Sequence, residues 1–297
     1  MKSISSLSYG KVNLSLDVFS PHLKLQNPSQ PPIIKGGVEQ KEKIIPPPNG
    51  YSLWKREIDN ENTFHSIKTI FHKISLADEI EITENDTFQI IWNFSCKIED
   101  NLIFKAFQLI KKYIKNIPNV RVEIIKNIPE KAGLGWGSSN FATFVKMYFL
   151  LFKLWGIPKE LIEESWNFWK DIPFFFSDSN CMIWENFWEK IIPPPFRWNQ
   201  FSWTPLWIYK PDFENCTKTM YENLHIYENG HTDRFLKSLN LNDCWNTFDE
   251  FLEKAEYQNI LQGTDTKKIH LCGSGSSFFS FEKISPIDCS EVIVTLL

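Results

Sequence analysis

Hydrophobic and polar residues follow regular patterns in several short stretches of the chain and in one longer stretch. Residues 8–18 alternate with the two-residue period of a half-buried β-strand, and residues 203–209 are also typical of a strand. Residues 141–155 are largely apolar, with Lys146 and Lys153 seven residues apart and therefore on one face of a helix. This longer pattern predicts a mostly buried helix with a single solvent-facing stripe.

The other elements are predicted from shorter patterns and from residues that start or stop helices. We expect Asp100 to cap an amphipathic helix, and Gly156 followed by Pro158 to end the central helix. Further strands are predicted over 74–82, 87–92 and 120–125, and further helices over 161–169 and 241–252. The pattern therefore indicates a mixture of strands and helices.

Two proline-containing segments interrupt this pattern. Residues 20–60 are rich in Pro, Gln, Lys and Asn and lack apolar periodicity, which predicts a surface loop or flexible insertion. The run Pro193-Pro194-Pro195 is the expected boundary between a domain of residues 1–192 and a domain of residues 193–297.

Length, charge and cysteine spacing limit the partners and the cellular compartment that the sequence predicts. The chain has 297 residues, enough for one large or two ordinary domains, and its net charge of -4 disfavours nucleic acid and anionic membranes. Its N-terminus lacks an uninterrupted apolar segment, so no signal peptide is expected, and residues 141–155 are too few to span a membrane. The six cysteines lie far apart without a C-x-x-C pair, which predicts reduced thiols in a cytoplasmic protein.

One stretch carries candidate chemistry. The segment Gly133-Leu134-Gly135-Trp136-Gly137 leads through Ser138 and Ser139 into the central helix. A glycine loop that enters a helix N-terminus presents unpaired backbone N–H groups to a phosphate. An ordinary serine-capped turn would have the same residues. The segment lacks the Gly-Lys-Ser/Thr of a Walker A loop and the spacing of a dinucleotide-binding fingerprint.

The segment resembles the second motif of the GHMP kinases, and most of all the branch with Pro-x-x-Ala-Gly-Leu-Gly-Gly-Gly-Ser-Ser-Asp, which acts on a cytidine diphosphate derivative of methylerythritol. Lys11-Val12-Asn13 resembles the first motif of this family, and Gly273-Ser274-Gly275 resembles the third. The motifs occur in family order. The resemblance implies a two-domain α+β fold, with a ribosomal S5 domain 2-like ATP-binding domain, a ferredoxin-like C-terminal domain and the active site between them.

The resemblance also implies roles for individual residues. Lys11 would lie beside the substrate hydroxyl, and Asp171, in Asp171-Ile172-Pro173-Phe174-Phe175, would be the general base. An alcohol is a poor nucleophile at neutral pH, so a carboxylate must take or orient its proton while the phosphoryl group is transferred. A nearby lysine stabilises the developing negative charge.

Other positions are implied to bind ATP, metal or the cytidine substrate. The expected ATP contacts are Gly133, Gly135, Gly137, Ser138, Ser139 and Asn101, with the two serines also expected to hold Mg²⁺, directly or through water. The expected substrate contacts are Asn13, Phe64, His65, Thr217, Tyr221, Gly273, Ser274 and Gly275, with Phe64 and Tyr221 stacking on the cytosine.

The expected activity is transfer of the ATP γ-phosphate, with Mg²⁺, to the 2-hydroxyl of 4-diphosphocytidyl-2-C-methyl-D-erythritol by a monomer or homodimer. Three departures bear on it: Trp136 replaces a loop glycine, Asn140 replaces an aspartate and Cys272 replaces a serine. If position 136 requires a positive φ, the loop must distort. The alternatives are a GHMP kinase for another small alcohol, such as mevalonate or homoserine, and an inactive nucleotide-binding relative.

Overall fold

A computed structural model describes residues 2–19, 65–93, 97–186, 190–193, 201–225, 227 and 230–297. The predicted insertion of residues 20–60 and the substrate candidate Phe64 lie outside these ranges. Strands in the described chain are β1 (Ser3–Val18), β2 (Ile67–Glu84), β3 (Gln89–Trp92), β4 (Val120–Ile125), β5 (Cys181–Asn186), β6 (Lys190–Ile192), β7 (Pro205–Pro211), β8 (Trp245–Asn246), β9 (His270–Leu271), β10 (Phe278–Ser280) and β11 (Cys289–Thr295). The α-helices are α1 (Leu102–Tyr113), α2 (Trp136–Leu151), α3 (Lys159–Ser165), α4 (Ile172–Phe176), α5 (Thr217–Glu222), α6 (His231–Ser238) and α7 (Ala255–Leu261). Short 3₁₀ helices occupy Ile98–Asp100, Leu241–Asp243, Thr247–Glu253 and Thr266–Lys268.

The first sheet is built on two long antiparallel strands, β1 and β2. Its order is β3-β4-β2-β1-β8, with β5 also pairing with β2, and β6 pairing with β5. Irregularities in the β1–β2 register lie between Tyr9 and Lys11 and between Asn13 and Ser15. Such bulges re-aim side chains locally. They bracket the segment that carries Lys11 and Asn13.

Helices α1 and α2 cover one face of this sheet. Their buried side chains, among them Phe107, Phe144 and Tyr148, pack against Ile80 and Val122 of the strands. Phe107 is fully buried, so its truncation to alanine is expected to cost about 3–5 kcal/mol of stability. This core fixes the end of α2 at which the glycine-rich loop lies.

The second sheet is antiparallel, with the order β11-β7-β10-β9. A shared apolar cluster joins it to the first sheet, because Val12 and Ile70 belong to the same cluster as Leu206 and Phe279. Strand β8 also crosses from the C-terminal part of the chain to pair with β1. The α+β class is confirmed, while the division at residue 193 stays a prediction.

The structure corrects several sequence predictions. Helix α2 ends at Leu151 and not at Gly156, and α3 ends at Ser165 and not at residue 169. Residues 241–252 do not form one helix: Trp245 and Asn246 pair with β1, and a new 3₁₀ helix then begins at Thr247. The Asn246 side chain accepts from the Phe248 N–H while Asp249 bonds back to the Asn246 N–H, a capping box that starts a new helix. Helix α1 is capped by Asn101, not by Asp100.

Among the described residues, no helix is both long and apolar enough to cross a membrane. The five described cysteines are all free thiols, as predicted from their spacing.

Candidate active site

The glycine-rich loop needs glycine at two positions. Gly133 and Gly135 have φ of 74° and 69°, in the left-handed region that side-chain-bearing residues rarely adopt. A Cβ at Gly133 would lie 1.6 Å from the Cys272 carbonyl oxygen, so the loop and the third motif are in backbone contact. Gly135 forms the N-cap of α2, and its carbonyl accepts from the Ser139 N–H at 2.9 Å.

Trp136 does not distort this loop. It is the first residue of α2 and is not among the described residues with positive φ, so the condition for distortion is not met. The Lys126 ammonium lies 4.6 Å from the centre of its ring, a cation–π contact that sequence analysis did not anticipate. Lys126 also pairs with Asp78, which sits in the adjacent strand, at 3.2 Å.

Asp78 connects this strand to the loop and to α2. Its carboxylate accepts from the Ile128 N–H at 2.8 Å and from the Asn140 side-chain amide at 2.9 Å. The asparagine that departs from the family motif therefore has a structural partner. Sequence analysis missed Asp78 because its partners lie about fifty residues away and no motif links them.

The N-termini of α1 and α2 lie side by side. A Cβ at Gly137 would lie 2.9 Å from Leu102 Cδ1, so a larger residue there would require the end of the Leu102 side chain to shift. Asn101 caps α1 by accepting from the Ile103 N–H at 2.9 Å. Its Nδ2 is buried and has no hydrogen-bond partner among the residues that the structure describes. Such an amide calls for a partner supplied by a ligand or water.

Lys11 is buried at the centre of the site. Its ammonium donates to Asn13 Oδ1 at 2.9 Å and to the Gly133 carbonyl at 2.8 Å, and it lies 5.1 Å from the centre of the Phe71 ring. Burial lowers the pKa of Lys11, and the nearby Asp171 carboxylate opposes that shift.

Asp171 lies close to the same point of Gly135 as Lys11 does. A Cβ at Gly135 would lie 3.1 Å from Asp171 Oδ2 and 3.2 Å from Lys11 Cε, so the two side chains flank one Cβ-sized gap. Ser138 Oγ donates to Asp171 Oδ1 at 2.5 Å. Burial raises the pKa of Asp171, while Lys11 and the Ser138 hydrogen bond oppose the shift. The pair predicted from the motifs is thus brought together.

Gly273 of the third motif lies next to the Lys11 side chain. A Cβ at Gly273 would lie 3.5 Å from both the Lys11 ammonium and the Gly133 carbonyl oxygen. Cys272 is fully buried behind it, and burial raises the pKa of its thiol to about 12. That thiol is therefore protonated at neutral pH, as an unreactive core residue.

The rest of the third motif faces α5. Ser274 Oγ and Thr217 Oγ1 are 3.1 Å apart, so two predicted substrate residues are hydrogen-bonded to each other. A Cβ at Gly275 would lie 2.6 Å from Asn215 Nδ2 and 2.9 Å from the Tyr257 hydroxyl. Asn215 and Tyr257 were missed, because neither stands in a recognisable motif.

Aromatic rings surround His65. Its ring centre is 5.4 Å from that of Tyr221, and 5.6 Å from that of Tyr227, with an interplanar angle of 13° to Tyr227. Its Nδ1 lies 3.1 Å from the Phe19 carbonyl oxygen. His65 and Tyr221 are therefore neighbours, as the resemblance implied, and Tyr227 is an additional aromatic face that sequence analysis missed.

The described residues contain no cluster of three or more His, Cys, Asp or Glu side chains able to hold a metal ion. Ser139 Oγ is 2.7 Å from Ser8 Oγ, and both residues are buried. Ser138 and Asp171 offer the hydroxyl and carboxylate oxygens that Mg²⁺ prefers, provided that substrate phosphates and water supply its other ligands. The metal assignment to the two serines stays a prediction.

Comparisons with known proteins find related kinases. Residues 101–172 match the model of the GHMP kinases N terminal domain, which includes the glycine-rich loop. The 4-diphosphocytidyl-2-C-methyl-D-erythritol kinase of Sulfurimonas denitrificans is 27% identical over 250 residues, covering 74% of this chain and 90% of that protein. The protein of the same name from Persephonella marina is 28% identical over 256 residues, covering 79% of this chain and 91% of that protein.

Two solved structures have the same fold. A crystal structure of 4-(cytidine 5'-diphospho)-2C-methyl-D-erythritol kinase superposes with a TM-score of 0.65 at 19% identity, covering 98% of this chain and 99% of its own. The Methanococcus jannaschii mevalonate kinase gives a TM-score of 0.53 at 13% identity, covering 99% of this chain and 98% of its own. At these identities the superpositions establish the fold.

Proposed function

We propose that the chain is a GHMP kinase that transfers the γ-phosphate of ATP to the 2-hydroxyl of 4-diphosphocytidyl-2-C-methyl-D-erythritol. The observation that carries the proposal is the meeting of Lys11 and Asp171 at Gly135, inside the loop expected to hold the phosphates. An ammonium and a carboxylate placed beside a phosphate loop are the groups needed to activate an alcohol and to stabilise its transfer.

Asp171 acts as the base in this proposal. Ser138 holds Oδ1, which leaves Oδ2 on the side of Gly135 that also faces Lys11. As the substrate oxygen attacks the γ-phosphorus, its proton passes to Asp171, and ADP leaves with the electrons of the broken P–O bond. A carboxylate whose pKa is raised by burial accepts a proton more readily, which favours this role.

Lys11 supplies positive charge next to the transferred group. Two of its three ammonium hydrogens are directed at Asn13 and Gly133, so the third is available to the substrate or the γ-phosphoryl oxygens. Because Lys11 is buried, its charge is screened less by water and acts more strongly on the transition state.

The nucleotide is proposed to lie across the N-termini of α1 and α2. The first N–H groups of α2 would face the ATP phosphates, and the unpaired Asn101 Nδ2 would donate to the nucleotide. Mg²⁺, which neutralises phosphate charge when bound, would be held by those phosphates with Ser138 and Asp171 nearby. ATP use is supported by the similarity to the GHMP kinases, and the metal assignment is also part of the proposal.

The cytidine end of the substrate is proposed to bind around His65. The rings of Tyr221 and Tyr227 offer faces on which a base can stack, worth about 1–3 kcal/mol for each base. Thr217 and Phe64 are assigned to the same subsite by the motifs that contain them, and Ser274 lies beside Thr217. Such a clamp holds a crowded tertiary hydroxyl in line with the γ-phosphate, and positioning of this kind supplies much of the rate.

The test is ADP release by the purified chain with Mg-ATP and 4-diphosphocytidyl-2-C-methyl-D-erythritol, mevalonate or homoserine in parallel. We expect turnover with the cytidine compound alone. Turnover of only mevalonate or homoserine would keep the kinase assignment and overturn the proposed substrate.

A matched pair of variants examines the clamp. Tyr221→Ala should raise KM for the cytidine substrate at least about tenfold, since one stacking face is lost, with KM for ATP unchanged. Tyr113→Ala is the control, because Tyr113 lies at the far end of α1 and bonds to Glu164. An equal rise in both Michaelis constants for Tyr221→Ala would remove this residue from the cytidine subsite.

A further inference from the structure

We propose that Thr69, a buried residue of β2 to which no role in the reaction is assigned, is a positioning residue that fixes the direction of the Asn13 amide and so holds the Lys11 ammonium in place. The proposal deepens the function proposed above and rests on it for its kinetic consequences. It concerns three side chains on two neighbouring strands: Lys11, Asn13 and Thr69.

The three side chains form one continuous hydrogen-bonded chain. The Lys11 ammonium donates to Asn13 Oδ1 at 2.9 Å, and Asn13 Nδ2 donates to Thr69 Oγ1 at 2.7 Å. Thr69 Oγ1 in turn donates to the Ser15 carbonyl at 2.7 Å. All four residues are at least 95% buried, so water does not compete for these groups.

The direction of each bond follows from the groups available. A backbone carbonyl only accepts, so the single Thr69 hydroxyl hydrogen must point to Ser15. Thr69 Oγ1 then offers only lone pairs to Asn13, and the amide must turn its NH₂ group towards it. The amide oxygen of Asn13 consequently faces the Lys11 ammonium, which can only donate.

The reversed amide would be unfavourable at both ends. Asn13 Nδ2 would face the Lys11 ammonium, donor against donor, and Oδ1 would face a hydroxyl whose hydrogen is already used. Without Thr69 Oγ1, however, Asn13 Nδ2 would lose its buried acceptor, and this constraint on the amide would be gone. The Lys11 ammonium would then lose a fixed acceptor beside Asp171.

Thr69 acts through its neighbours and not on the substrate. It is fully buried and paired in register with Leu16 on one side and Trp184 on the other. The irregularity between Asn13 and Ser15 in β1 lies where the Ser15 carbonyl meets the Thr69 hydroxyl. Valine would fill the same space as Thr69 but would make neither of its hydrogen bonds, so Thr69→Val tests the hydroxyl alone.

The experiment compares Thr69→Val with Thr69→Ser and with a matched control, Thr247→Val. Thr247 is also buried, and its hydroxyl donates to the Leu16 carbonyl at 3.0 Å and accepts from the Val18 N–H at 3.0 Å. Removing the Thr247 hydroxyl breaks two comparable buried hydrogen bonds to β1, the strand that Thr69 also contacts, but neither of them leads to Lys11. For each variant the thermal midpoint, kcat and KM for ATP are measured.

We expect Thr69→Val to lower kcat by about 10- to 100-fold with KM for ATP changed less than about threefold, because a small displacement of a catalytic group has effects of this size. Thr69→Ser should keep kcat within about threefold of the parent chain, and Thr247→Val should lower the thermal midpoint without lowering kcat. Equal kcat values for Thr69→Val and Thr247→Val would overturn the proposal.

A crystal structure of Thr69→Val separates failure of this inference from failure of the proposed function. If the parent chain phosphorylates none of the alcohols, the proposed function fails, but the position of Lys11 is still testable. A displaced Lys11 or a turned Asn13 amide in the variant would support the inference. An unchanged Lys11–Asn13 contact would overturn it, whatever the kinetic result.

Discussion

A methyl group added at Gly135 should slow catalysis strongly while leaving the fold nearly intact. In Gly135→Ala the new Cβ would lie 3.0 Å from Phe175 Cζ, 3.1 Å from Asp171 Oδ2 and 3.2 Å from Lys11 Cε. Favourable heavy-atom contacts lie near 3.5–4.0 Å, so each neighbour must move by several tenths of an ångström. Positive φ at this position adds about 1–2 kcal/mol of backbone strain.

The displaced atoms are the two groups assigned to the chemistry. Moving Lys11 and Asp171 apart disturbs the line between the attacking oxygen and the γ-phosphate, and misplacements of about 1 Å cost on the order of 100-fold in rate. We therefore expect kcat of Gly135→Ala, measured as ADP release, to fall by about 10- to 100-fold.

Gly156→Ala is the matched control. Gly156 has φ of 52°, and no heavy atom lies within 4 Å of the position its Cβ would take. The Gly156→Ala variant therefore has the same kind of backbone strain as Gly135→Ala, but its new methyl group contacts no other residue. Denaturant unfolding should give both variants a similar loss of about 1–2 kcal/mol, with turnover lost only in Gly135→Ala. Normal kcat in Gly135→Ala would refute the placement of the catalytic pair around this glycine.

Three further predictions concern titrating and reactive groups. Asp171→Asn should lose most turnover while retaining ATP binding, measured by isothermal titration calorimetry; full turnover would exclude Asp171 as the base. Burial lowers the pKa of His72 to about 4, so the folded state keeps this side chain neutral where the unfolded state would protonate it. The contribution of His72 to the free energy of unfolding should therefore be constant above pH 6.5 and fall by about 3 kcal/mol as the pH drops to 4. Urea unfolding of His72→Gln should show a weaker dependence of stability on pH over this range. Backbone N–H groups lower the pKa of the exposed Cys216 thiol, so iodoacetamide should label Cys216 well before Cys272; mass spectrometry showing the reverse order would contradict the buried position of Cys272.

Regular local patterns predicted the elements that form the core. The alternation over residues 8–18 lies within β1, and the predicted strand 120–125 coincides with β4. The apolar stretch 141–155 overlaps α2, which spans Trp136–Leu151 and so both begins and ends earlier than predicted. Each of these elements buries one continuous face or stripe, so the local sequence alternates between apolar and polar residues with the period of the element.

Elements held by distant contacts were not predictable in this way. Residues 241–252 looked helical, but pairing of Trp245 and Asn246 with β1 divides them. That pairing joins residues about 230 positions apart, and tertiary contacts of this kind override local propensity.

In the candidate site, too, some residues were predicted from sequence motifs and others were identified only from the structure. Motif order pointed to Lys11 and Asp171, but only the fold brings both to Gly135. The contacts of Thr69 and Tyr227 could not be predicted from local sequence: the first matters through a hydrogen bond to Asn13, and the second through its stack on His65. Hydrogen-bond direction and ring stacking depend on three-dimensional placement, which residue spacing does not specify.

Phosphorus NMR of the reaction product tests the central claim most directly. The purified chain is incubated with Mg-ATP and 4-diphosphocytidyl-2-C-methyl-D-erythritol, and the parent is compared with Asp171→Asn. The account predicts a new phosphomonoester resonance without three-bond coupling to hydrogen, as a phosphate on the tertiary 2-oxygen requires, formed with one ADP for each molecule and nearly absent in the variant. ATP hydrolysis to free phosphate without this product, or equal product from both chains, would contradict it.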